Sequence, residues 1–461
     1  MNDATALVRD SVQRRNGVRR STVGQVLLWT IPSAIVAAII GLLTTQKPEW
    51  AIITAAVILA IGIMIRDPMV LVSLAVPATL ILVRVNGVLS VSDLVLAAAT
   101  MVAVVMIRPP GLTAMQSLLW AGIAYCAAAI PTLILNVYAE NAIEWAHELV
   151  LVLGSMIVGF AIGRTGRAEF AVGSYVAGCL LIAFWAIGSF VFTLATTGQL
   201  VEVYLPSLHK NTIGGMLGAA IVIVYARPPW LRLNPLPYWT SLAVLSSGVA
   251  VSQSRQAMIA AIAGLMLISL RRRSETGRRP TLIWIVAVPV LIFAFSMLAS
   301  QLESDNRFNS AYQRLTWYQD SVDIWQTSPL FGVGLRWWYT SRFGDGFQPP
   351  NAELEVLTSV GVVGLIAFLG LFGIGLVVLW RLDPVYGTVG AAVVLTRLVQ
   401  AQFDLYWVAG QASLLWIIAG ISFGTLIRDR DSPHSDSITI TTNRPLPIAS
   451  GPCPRRSVET P

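Results

Sequence analysis

The chain has 461 residues, 55% of them hydrophobic and only 12% charged, with a formal net charge of +7. Soluble domains carry roughly 25% charged residues, so this composition excludes an ordinary globular protein and points to a polytopic membrane protein. The basic surplus lies in short loops beside apolar runs, which is the positive-inside pattern and not a nucleic-acid surface.

Residues 1–22 carry Arg9, Arg14, Arg15, Arg19 and Arg20 ahead of an apolar run that starts near Val23. No small-residue cleavage site follows a short apolar stretch, which predicts a retained first helix and not a signal peptide. A spanning helix needs about 20 mostly apolar residues. Candidates fall near 24–44, 50–65, 68–84, 92–107, 115–136, 144–163, 170–196, 211–226, 238–252, 255–270, 280–300, 354–380, 386–402 and 405–427. The expected fold is therefore all-α, a transmembrane helical bundle of about twelve to fourteen spans.

Charge sets the expected topology. With the N-terminus in the cytoplasm, most Lys and Arg fall on alternate loops on that side, and both termini become cytoplasmic. The residues left outside are Lys47, Arg84, Lys210, Arg255, Arg307, Arg314, Arg336, Arg342 and Arg397. The domains read as a cytoplasmic segment 1–22, transmembrane helices 23–300, an external cap loop 301–351, further spans 352–427 and a cytoplasmic tail 428–461. That tail, rich in Ser, Thr, Pro and Arg, is expected to be disordered. Cys126, Cys179 and Cys453 lie far apart with no CxxC spacing, which suggests neither a disulfide framework nor a zinc site.

The polar residues that carry chemistry gather on the external side. His147 lies in Glu144-Trp145-Ala146-His147-Glu148 at an external boundary. His209-Lys210-Asn211-Thr212 opens a span, where a helix N-terminus attracts anions, and Asn211 or Thr212 would serve as its N-cap. Ser252-Gln253-Ser254-Arg255 joins two apolar runs, so Arg255 either snorkels or is held for a phosphate. In the cap, Tyr312, Leu315, Tyr318, Val322 and Trp325 recur at helical steps as a stripe for packing or interfacial anchoring, with Arg314 one turn before Tyr318. Pro329-Leu330-Phe331-Gly332-Val333-Gly334 forms a tight turn. Asn351 caps the next span, with Glu353 and Glu355 near its first turn. Arg397, Gln400, Gln402 and Asp404 line the end of the following span, where Arg397 and Asp404 are spaced to pair.

In this order the pieces resemble the O-antigen ligase and polymerase superfamily of polytopic glycosyltransferases. The matching elements are Ser254-Arg255, Arg314 with Trp317 and Tyr318, Pro329 to Gly334, Asn351 with Glu355, and Gly361-Val362-Val363-Gly364, over roughly 205–425. One position departs: Pro350 stands where the family commonly carries a His thought to be the base, and proline cannot take that role. The resemblance implies transfer of a glycan from a polyprenyl (di)phosphate donor to a hydroxyl of a glycan or glycolipid acceptor, at the external face of a bacterial inner membrane. It implies no cofactor, metal or nucleic acid. Under it, Arg255 and Arg314 take the phosphate with Lys210 as a third cation, while His209, Glu353 and Glu355 are candidate bases. Asn211, Tyr318, Asn351, Arg397 and Asp404 complete the substrate site. Two rival readings are a transporter or flippase of lipid-linked sugars and a non-catalytic scaffold for envelope assembly.

Overall fold

A computed structural model describes residues 62, 65–85, 89–107, 111–271, 296, 310–343, 346–408 and 410–432. The chain forms two compact units, Met1–Val70 and Leu71–Pro461; helix α1 is Met69–Ala78, and every later element belongs to the second unit. The expected spans at 24–44, 50–65 and 280–300, the segment 1–22 and most of the tail fall outside the described residues.

Helix is the dominant element. After α1 come a two-residue hairpin (β1 Arg84–Val85, β2 Leu89–Ser90), α2 (Val91–Met106), α3 (Gln116–Ala128) and α4 (Ile130–Leu135). Helix α5 (Ala139–Leu149) continues through a π turn (Val150–Gly154) into α6 (Ser155–Arg164). Then follow α7 (Ala168–Thr197), α8 (Lys210–Ala226), α9 (Pro235–Ser252), α10 (Arg255–Leu270), the cap helix α11 (Ser310–Gln326), α12 (Ala352–Arg381), α13 (Pro384–Ala401) and α14 (Gln411–Arg430). Among the described residues, five stretches are long and apolar enough to cross a membrane: Leu112–Leu135, Ala139–Arg164, Ala168–Thr197, Ala352–Arg381 and Gln411–Arg430. This is a multi-pass membrane protein.

The most intimate packing joins α6 to α14. Gly159 and Gly163 on one face Gly420 and Gly424 on the other, and a Cβ at Gly159 would overlap the Ile417 carbonyl. In hydrocarbon, where apolar burial gives no drive to associate, such small-residue stripes let backbones gain dispersion contact at close range. A layer of aromatic rings sits beside this seam: Tyr125 stacks on Trp407 at 5.9 Å, Tyr406 meets Trp407 edge-on at 4.6 Å, and Phe372 meets Trp416 at 5.3 Å.

Three expectations need correction. The last span does not begin at 405, because residues 402–408 are non-helical and the helix starts at Gln411 behind Gly410, whose φ is 77°. That same helix runs to Arg430, so the tail starts after residue 430 and not at 428. In α11, Leu315 and Val322 of the expected stripe face outward, and the inward face is Trp317, Tyr318, Ser321 and Ile324. Ile324 anchors the cap core with Val333 and Trp337, against which Trp338, Phe343 and Phe347 pack. The side chain of Tyr312 lies outside the described residues.

Helix α12 is broken. Gly361 has φ 74° and ψ −168°, which separates 352–360 from the longer apolar portion. The cap turn fills the gap: Val333 N–H donates to the Thr358 carbonyl (2.8 Å) and Gly334 N–H to that of Ser359 (3.0 Å). In return, Val362 N–H donates to the Pro329 carbonyl (2.9 Å) and Val363 N–H to that of Leu330 (3.3 Å). Irregular backbone at membrane depth is tolerated where protein supplies the missing partners, and here the 329–334 turn does so.

Candidate active site

The site assembles where the starts of α8, α10 and α12 meet the inner face of α11 and the 402–411 loop. His209 is the N-cap of α8: its Nδ1 accepts from Asn211 N–H at 3.2 Å, so the cap is neither Asn211 nor Thr212. Partial burial holds the imidazole below its ordinary value of 6.5, reinforced by Lys210 and Arg314 and opposed by Asp404 and Glu202. The ring is therefore neutral near pH 7, with its Nδ1 lone pair committed to the helix. Lys210 forms an ion pair with Glu202.

Arg255 is the first residue of α10. The turn before it is fixed by Gln253 at φ 52° and by Ser252 and Ser254, both buried. Arg255 lines a cleft of about 430 Å³ whose walls include Phe190, Leu200, Ala250, Val251 and Met258. Arg314, on α11, is near enough to Arg255, His209, Tyr318 and Asp404 to act on the charge of each. Among the described residues no side chain pairs with the Arg314 guanidinium.

Beneath these cations lies a web of amides. Asn351 caps α12 by accepting from Leu354 N–H (2.9 Å), while its Nδ2 donates to the Gln402 carbonyl (3.1 Å). Gln402 Nε2 donates to Glu353 Oε1 (2.5 Å), and the Tyr318 hydroxyl reaches the Gln402 carbonyl at 3.5 Å. Burial pushes the Tyr318 phenol up, so it stays a neutral donor. The other Glu353 oxygen, Oε2, is buried without a hydrogen-bond partner.

The expected Arg397–Asp404 pair takes a different form. Arg397 donates to Gln411 Oε1 (2.9 Å) and to the carbonyls of Leu405 (2.9 Å) and Tyr406 (2.5 Å), so it pins the 402–411 loop. Asp404 instead accepts from Gln256 Nε2 at 2.6 Å, and burial raises its carboxyl against the pull of Arg397 and Arg314.

Glu355 leaves this group. Two residues along a helix turn through roughly 200°, so Glu353 and Glu355 face opposite ways. Glu355 accepts from Gln348 Nε2 (2.8 Å) and joins a second polar cluster on α5, α2 and the cap. There His147 contacts Asp93 (3.3 Å) and Glu144 (3.2 Å), Arg336 pairs with Glu144 (2.5 Å), and the Tyr125 hydroxyl donates to Glu148 (2.8 Å). Arg336 holds a left-handed backbone, φ 54°, to make that reach. Pro349 and Pro350 are buried between the two clusters in sequence, and the nearest polar side chain upstream, Gln348, is the one that engages Glu355.

Sequence reasoning missed Gln256 and Gln411, two of the amides that orient the site, and the roles of Glu144 and Glu148. The glutamines give no signal apart from their partners. Two acids beside an apolar run were a usable hint, since ionisable groups in spans are expensive and face protein interiors. No His, Cys, Asp and Glu group among the described residues has the arrangement of a metal site.

Residues 240–378 match the model of the O-antigen ligase family. Over that stretch the chain is similar to O-antigen ligases. The stretch takes in most of α9, all of α10, the cap and nearly all of α12, and so includes Arg255, Arg314, Glu353, Glu355 and the broken helix. That family likeness covers residues 240–378 and no more of the chain. His209, Arg397 and Asp404 lie outside the matched segment and reach the site through the fold. No curated protein shows a significant match.

Proposed function

We propose that this protein transfers a glycan from a polyprenyl phosphate or diphosphate to an acceptor hydroxyl at the external face of a bacterial inner membrane. The observation that carries the reading is Arg255 in the wall of a largely apolar cleft of about 430 Å³, with Arg314 near enough to act on its charge. The cleft suits an isoprenoid chain, and two guanidinium groups suit the anionic head, binding it by charge-assisted, two-pronged hydrogen bonds.

In the reaction the bond between the sugar C1 and the phosphate oxygen breaks, and its electron pair stays on that oxygen. Arg255 and Arg314, fixed before the charge develops, stabilise it in a site of low water content. The acceptor oxygen bonds to C1 and its proton passes to a carboxylate. Glu353 fits that role because Oε2 is bare, buried and beside Tyr318 and Arg314, whereas His209 has its Nδ1 in the α8 cap. Asp404, Asn351 and Asn211 line the remaining polar wall, with Lys210 joining once released from Glu202.

The test uses the full chain in nanodiscs, a polyprenyl-diphosphate-linked glycan and a panel of envelope glycan and glycolipid acceptors. Acceptor-dependent release of polyprenyl diphosphate is the expected result. Movement of the donor between leaflets of proteoliposomes without transfer would replace this reading with a flippase, and neither event would leave a scaffold.

A further inference from the structure

The polar cluster around Glu355 is not used by the reaction above, and its charges do not balance. Asp93 and Glu144 are matched by His147, whose two ring nitrogens both face carboxylates, and by Arg336. That leaves Glu148 and Glu355. Both side chains are buried, at 2% exposure each, and each has one satisfied oxygen: Glu148 takes the Tyr125 hydroxyl and Glu355 takes the Gln348 amide. The other oxygens, Glu148 Oε1 and Glu355 Oε2, have no hydrogen-bond partner. The two residues line the same small chamber with Arg336, Trp338, Ser359 and Trp407, a space with room for a water molecule.

Two uncompensated carboxylates cannot both stay ionised at such a place, because desolvation and mutual repulsion act together. We propose that the chamber is a proton-binding site in which Glu148 and Glu355 hold one proton between them. Loading is a simple transfer: hydronium gives its proton to one carboxylate oxygen and leaves as water. Charged groups facing the pair are Glu144 and His147 from α5, Arg336 from the cap, Asp93 behind His147, and Arg397 acting on Glu355 at longer range. The phenol of Tyr125 completes the set.

The site has a consequence for the cap. Glu148 belongs to α5 and Glu355 to α12, while the chamber wall between them is the cap segment holding Arg336 and Trp338. With the proton bound, the two acids carry one negative charge between them. Once it leaves, two like charges push α5 and α12 apart beneath the cap.

Infrared spectroscopy of the full chain in nanodiscs tests the proposal without any glycan substrate. The expected result is a protonated-carboxyl C=O band at neutral pH that disappears in both Glu148→Gln and Glu355→Gln. A wild-type spectrum lacking that band, or one that neither variant alters, would overturn it. Amide hydrogen exchange across 334–340 supplies a second readout: protection falls with rising pH in the wild type and stays level in Glu355→Gln, which resembles the protonated acid. Equal pH dependence in both proteins would also overturn the proposal. So would sodium restoring protection at high pH, which would make the ligand a metal cation. Because neither measurement involves transfer, failure here leaves the glycosyltransferase reading standing.

Discussion

Gly361 and Leu330 touch backbone to backbone: a Cβ placed on Gly361 would overlap the Leu330 carbonyl, and its φ of 74° is one that L side chains rarely adopt. The break in α12 thus depends on a missing side chain. Gly361→Ala combines left-handed strain, of order 1–3 kcal/mol, with a backbone collision that must separate the cap from the helix. The expected outcome is a clear drop in the thermal unfolding temperature in detergent and in cap protection from proteolysis. A variant as stable as the wild type would show that the seam can repack.

Arg255→Ala and Arg314→Ala are each expected to abolish glycan transfer while the protein remains in the membrane at normal level. Loss of one preorganised group that stabilises developing charge costs about 10²–10³ in rate. Lys at either position should restore little, because an ammonium lacks the planar fork that meets two phosphate oxygens. Transfer rates of purified variants at matched protein level decide the matter, and wild-type output from both Ala variants would remove the phosphate assignment.

Glu353→Gln keeps the shape and the contact to Gln402 but removes the proton acceptor. The turnover rate should fall by about 10²–10⁴, the usual contribution of a positioned base, with donor affinity little changed. Equilibrium binding of the lipid-linked donor, measured beside turnover, separates the two effects. A loss confined to binding would mean that Glu353 shapes the site without taking a proton.

His209 offers a test of cap against base. Asn is a good N-cap, so His209→Asn should keep both the fold and most of the transfer rate, while His209→Ala should lose about 1 kcal/mol of stability. The pH sign follows from the lowered imidazole value: the cap's contribution is present above the ordinary 6.5 and is lost as pH falls through the folded value, since a protonated Nδ1 cannot accept from Asn211. Thermal unfolding between pH 5 and 8 should show this acid loss in the wild type and not in His209→Asn. If His209→Asn stops transfer while remaining folded, the imidazole is the base after all.

The helical, multi-pass character was legible because length and apolarity alone decide which segments can cross hydrocarbon. So was the grouping of Arg255, Arg314, His209 and Asp404, which followed from placing the polar loops on one side. The break at Gly361 was hidden, since Val360, Val362 and Val363 keep the apolar run continuous through it. Arg397 was read as a substrate cation because sequence shows its charge and not the Leu405 and Tyr406 carbonyls that bind it. Its neighbour Asp404 is claimed by Gln256, which is 148 positions away in the chain. The two glycine stripes of α6 and α14 are visible as small residues four apart, but only three-dimensional contact shows that they face one another.

The exchange of hydrogen bonds between the 329–334 turn and the interrupted α12 also constrains biogenesis. Until that turn arrives, the carbonyl of Thr358 and the amides of Val362 and Val363 lack these mates, and lipid offers none. The last three helices can be threaded into the bilayer early, yet they reach their final seating only after the preceding loop has folded down upon them.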